Sequence, residues 1–144
     1  MTWAIVLVVA IAMSSCSSGL RNLTTFEANC WNIRSIGDQI GPLADKANTD
    51  LAAARRVRTL ERLLARKLQV ARKDLGEKGP FNTGDDCLEQ GADLEALAWG
   101  LTSSTAARGH AKAWYQLLLD YYPDSPLAGG ARAYISHPSP IRTP

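Results

Sequence analysis

"LAAARRVRTLERLLARKLQVARKDLG", residues 51–76, is the stretch that decides the fold class. Ala53, Val57, Leu60, Leu64, Leu68, Ala71 and Leu75 recur at helical period and fall on one line of an α-helix. Arg55, Arg62, Arg66 and Lys73 fall on the opposite face. The spacing predicts a helix that starts between Pro42 and Asp50 and runs to Leu75, with Gly76 as its stop. Residues 51–78 hold nine basic and three acidic side chains, a net of +6. The flanks are net acidic, −1 over 17–50 and −3 over 79–144.

Upstream, "TTFEANCWNIRSIGDQIG" (24–41) reads as a first helix. Thr24 and Glu27 fit a capping box. Leu23, Phe26, Cys30, Ile33, Gly37 and Ile40 form its stripe, and Gly41-Pro42 is expected to end it. Downstream, "GEKGPFNTGDD" (76–86) is a loop. Its Asn82, Asp85 and Asp86 do not match a calcium-loop spacing, and Asp85 or Asp86 reads as a helix N-cap. A third helix follows over about 86–102, with Cys87, Leu88, Leu94, Leu97, Ala98 and Leu101 inward. Ser104 or Thr105 caps a fourth, which carries Ala107, Ala111, Trp114, Leu117, Leu118 and Tyr121 and stops before Pro123. "DSP" then opens a short fifth helix, with Ser125 or Asp124 as cap and Pro126 in its first turn. The tail "HPSPIRTP" (137–144) has three prolines and is expected to be disordered. No strand signal competes, so the expected class is all-α: about five helices in one domain over 24–136.

The N-terminus has a different character. Residues 1–20 carry no charged side chain, and "WAIVLVVAIAM" (3–13) is eleven apolar residues. That is short of the ~20 needed to span a bilayer and has the length of a signal-peptide core. The other reading of the run is an uncleaved apolar anchor. "MSSC", Met13-Ser14-Ser15-Cys16, resembles the bacterial lipobox: an apolar residue, two small residues, then a cysteine. The resemblance implies that residues 1–15 are removed and that Cys16 carries a covalent lipid. Residues 16–23 then form a tether. Ser17 stands where Asp would signal inner-membrane retention, so the implied location is the periplasmic face of the outer membrane. With Cys16 lipidated, Cys30 and Cys87 remain as an even pair in an oxidising compartment. A bridge between them would stabilise by roughly 4 kcal/mol on the chain-entropy model. Two buried free thiols are the alternative.

Residues 111–134, "AKAWYQLLLDYYPDSPLAGGARAY", resemble the helix–turn–helix of tetratricopeptide repeats of the bacterial envelope. Ala111, Tyr115, Leu118, Tyr122-Pro123-Asp124-Ser125, Ala128, Ala131 and Tyr134 carry the likeness. It implies a TPR-like hairpin over about 105–135. No 34-residue period continues it, so a plain helical bundle and a short TPR-like array both remain.

Catalytic chemistry has no footing in the sequence. The two histidines, His110 and His137, lack partners at metal-binding or nucleophile-activating offsets, so no metal site and no cofactor is expected. Glu89, Asp93 and Glu95 near a helix start are accounted for by the helix dipole. The expected role is therefore non-enzymatic: a lipid-anchored interaction or assembly factor of an envelope complex. Its partner would be a protein bound through Arg55, Arg62, Arg66 and Lys73. A pilot lipoprotein of a secretion or pilus system is a near alternative. A lipid- or glycan-binding envelope protein is one of another class. Nucleic acid does not fit an exported chain.

Overall fold

The computed structural model describes residues 25–141. The segments expected to be a signal peptide (1–15) and a tether (16–23), with Cys16, lie outside the described residues. Five helices form an all-α bundle: α1 (Phe26–Ala44), α2 (Leu51–Lys78), α3 (Gly84–Thr102), α4 (Thr105–Tyr121) and α5 (Ala128–Ser136).

Capping chemistry sets the boundaries and corrects several expected ones. Thr25, not Thr24, caps α1: its side chain accepts from the Ala28 N–H at 3.3 Å. The α1 N-terminus is also held from α2, where the Asp74 carboxylate accepts from the Phe26 N–H. The helix runs through Gly41-Pro42 to Ala44. Pro42 lies in the last turn on an exposed face, so the donor it lacks is missed by one carbonyl near the end. The buried line of α1 is Phe26, Asn29, Ile33, Ile36, Ile40 and Ala44; Cys30 and Gly37 flank it. In α2, Asp50 caps by accepting from Ala52 N–H at 2.8 Å. Gly76 stays helical, and Gly79 makes the stop with φ 76°, the left-handed region that suits glycine.

Helix α3 starts at Gly84, ahead of the expected 86. Asp85 and Asp86 sit in its first turn rather than at its cap. Asp85 accepts from Ser125 Oγ at 2.6 Å and so ties α3 to the turn after α4. Ser104 caps α4 through Ala107 N–H at 3.2 Å. Ser125 accepts from Leu127 N–H at 3.1 Å, and turns over 123–127 delay α5 to Ala128.

Core packing centres on Trp114, which is fully buried. The α3–α4 pair is the most extensive in the bundle. It is close because Gly91 faces the Trp114 ring: a Cβ there would stand 2.7 Å from it. Phe26 lies 6.3 Å from Trp114 and edge-on to Phe81 at 5.4 Å, so α1 closes the other side. The predicted stripe of α2 is buried in full, from Ala53 to Leu75. A Cys30–Cys87 disulfide joins α1 to α3 with Cα atoms 5.7 Å apart. Tyr122 locks the α2–α3 loop, donating to Phe81 O and accepting from Phe81 N–H, each at 2.9 Å. Helix α5 covers α4, with the Tyr115 and Tyr134 rings 4.8 Å apart. The C-terminal stretch, expected to be disordered, follows α3 as far as Ile141, whose N–H donates to Ala96 O at 3.2 Å. Bare backbone at Gly100 makes this approach possible; a Cβ there would meet Ile141 O at 2.3 Å. Among the described residues no helix is long and apolar enough to cross a membrane.

Candidate functional site

Two features of α2 stand out, one on each side of its axis. The outer one is the basic stripe. Arg55, Arg62, Arg66 and Lys73 are all exposed and lie opposite the buried line. At 1.5 Å rise per residue the stripe is about 27 Å long. None of the four forms an ion pair with a carboxylate among the described residues. Arg62 reaches only Thr59 Oγ1, at 3.3 Å within the same helix. Two other cations of α2 turn toward α1 instead. Arg56 donates to Gln39 Oε1 at 2.8 Å, and Lys67 donates to Asn29 Oδ1. Burial holds the Lys67 ammonium below its ordinary pKa. The stripe is thus a row of solvated positive charge on a rigid helix, free to meet negative charge from outside.

The inner feature was not foreseen. Glu61 of α2, Glu95 of α3 and His110 of α4 converge at the edge of the core. His110 Nδ1 lies 2.8 Å from Glu61 Oε1 and 3.7 Å from Glu95 Oε1. The Glu95 side chain is 0% exposed, Glu61 10% and His110 31%, so the group opens to solvent along the imidazole. Neither Glu95 oxygen has a hydrogen-bond partner among the described residues. The buried Trp114 indole N–H beside it also has no hydrogen-bond partner among the described residues. Burial pushes the Glu95 carboxyl up to about 10, and the Glu61 carboxylate beside it adds to the rise. At neutral pH Glu95 therefore keeps its proton.

Position along the chain hid this group. Glu61, Glu95 and His110 stand 34 and 15 residues apart on three helices, so no local spacing connects them. One signal was present: Glu61 sits between Leu60 and Leu64 at the margin of the apolar stripe, and Glu95 is flanked by Leu94 and Ala96. The aromatic residues divide as well. Trp114 and Tyr115 are core, and Tyr115 OH donates to Asp93 Oδ1 at 2.7 Å. Trp99 is half-buried beneath Arg108, whose guanidinium is 5.4 Å from the ring centre. Trp31, 73% exposed on α1 with Arg34 over it, is the surface aromatic that the sequence reading passed over.

Comparison with known proteins yields no match to a protein family, to a curated sequence or to a solved structure.

Proposed function

We propose that this protein is a lipid-anchored interaction factor of the bacterial envelope. It is acylated at Cys16, held at the periplasmic face of the outer membrane, and docks an acidic protein partner along α2. The role is binding and positioning, not catalysis. The observation that carries the reading is the row Arg55, Arg62, Arg66 and Lys73 on one exposed helix face, without an ion-pair partner among the described residues. The disulfide between Cys30 and Cys87 supports an oxidising compartment. In this reading α4 and α5 serve as a TPR-like hairpin, supported by buried Ala111, Ala128 and Ala131 and the Tyr115–Tyr134 contact.

A protein partner fits better than a lipid surface. An interfacial helix binds a bilayer by inserting its apolar face as well as by charge. The apolar face of α2 is spent inside the bundle, from Ala53 to Leu75. Charge alone would hold lipid weakly and be screened within a Debye length of ~8 Å at physiological salt. Anchoring through Cys16 would instead confine the basic face to a thin layer and raise its effective concentration for an envelope partner.

The test is charge reversal. Arg62→Glu with Arg66→Glu, in the acylated chain, should keep helicity and membrane association but lose salt-sensitive crosslinking to the partner. Unchanged crosslinking, or loss of vesicle binding by the non-acylated domain in its place, would contradict the docking surface.

A further inference from the structure

We infer that Glu61, Glu95 and His110 form a binding site for a single divalent transition-metal ion of the zinc type, bridging α2, α3 and α4. The ligand set is one imidazole nitrogen and two carboxylates, all with donor atoms within 4.8 Å of one another. A zinc ion takes such donors at about 2.0–2.2 Å, which places tetrahedral ligand atoms about 3.4 Å apart. The His110 Nδ1 to Glu61 Oε1 distance of 2.8 Å must open slightly, and the 3.7 Å gap to Glu95 Oε1 must close slightly. His110 faces Glu61 through Nδ1; coordination through that nitrogen leaves the ring proton on Nε2.

The second, independent observation is Glu95 itself. A carboxyl group that is wholly buried, with both oxygens lacking hydrogen-bond partners among the described residues, is rare in folded chains. It points into the group, toward His110. A dication supplies what Glu95 lacks: with both carboxylates ionised and the imidazole neutral, the site is electrically balanced. The partly exposed His110 puts one edge of the group at the surface, where a solvent water would supply the fourth ligand. The nitrogen donor and the small ligand number disfavour Ca²⁺ and Mg²⁺, which require six or more oxygens. The site tethers three helices, so its role is structural: it clamps the bundle behind the basic stripe of α2. It stands independently of the docking surface.

The test uses the folded domain stripped with a chelator and titrated with Co²⁺, then with Zn²⁺. One equivalent of Co²⁺ should give a visible d–d band that Zn²⁺ abolishes, and Zn²⁺ should raise the unfolding midpoint. Glu95→Gln, His110→Gln and Glu61→Gln should each weaken Co²⁺ binding at least tenfold and abolish the Zn²⁺-dependent rise in midpoint. His137→Ala, which removes the other histidine, should change neither. The absence of a saturable band overturns the proposal, as does a band that survives in all three glutamine variants, which would mark adventitious surface binding. Equal stabilisation by Mg²⁺ also overturns it.

Discussion

Glu95→Gln in the metal-free protein tests the buried group in isolation. Glutamine has the shape of the protonated acid and cannot ionise. In the unfolded chain Glu95 titrates near 4.5, whereas in the folded chain it holds its proton to about 10. The folded state thus binds one more proton between these values, and stability falls as pH rises through that window. At about 1.4 kcal/mol per pH unit, the wild type should lose about 3 kcal/mol from this group between pH 4.5 and pH 7. Glu95→Gln should therefore be nearly neutral at pH 4 and more stable than the wild type by about 3 kcal/mol at pH 7, with the gap widening at pH 8. Glu89 and Asp93 are also held above their ordinary values, chiefly by burial, and slope the same way. The difference between the two proteins cancels them. The assay is urea denaturation with a chelator present, read by far-ultraviolet circular dichroism at several pH values. A gap that stays constant from pH 4 to pH 8 would refute the claim that Glu95 is neutral in the fold.

Other perturbations follow from the same geometry. Gly91→Ala puts a Cβ 2.7 Å from the buried Trp114 ring and should lower stability by about 1–3 kcal/mol in thermal melts, despite the better helix propensity of alanine. Gly76→Ala meets only Tyr121 Oη at 3.6 Å inside α2 and should raise stability by about 0.5–1 kcal/mol. Replacing Cys30 and Cys87 together by serine should cost about 2–5 kcal/mol, and mild reductant should add nothing further to that variant. Trp31→Ala should leave the unfolding midpoint unchanged within about 0.5 kcal/mol, since the side chain is 73% exposed.

The apolar stripe of α2 was legible because period and burial coincide along a single helix: every predicted inward residue from Ala53 to Leu75 is buried. The Cys30–Cys87 pair was legible from counting thiols once Cys16 was assigned elsewhere. Helix ends were less so. Glycine punctuates a helix only where the chain needs the left-handed region, and that need falls at Gly79 rather than Gly76. Pro42 ends nothing because it stands near a helix end, on an exposed face. In the α1 stripe Phe26, Ile33 and Ile40 are buried as expected, but Cys30 and Gly37 each stand one position off the line, because the polar Asn29 and Ile36 take the buried places. The inner group stayed hidden for a different reason. Glu61, Glu95 and His110 are each ordinary in their local sequence and become unusual only when three helices meet.

The central claim is that Cys16 carries the lipid that places this helical domain at a membrane. Intact mass spectrometry of the mature protein, beside a Cys16→Ala variant, measures it directly. The account predicts a chain beginning at Cys16, of 129 residues plus the mass of acyl chains, with the variant unprocessed or released into the soluble fraction. A mature chain that retains an unmodified Cys16 thiol would contradict it.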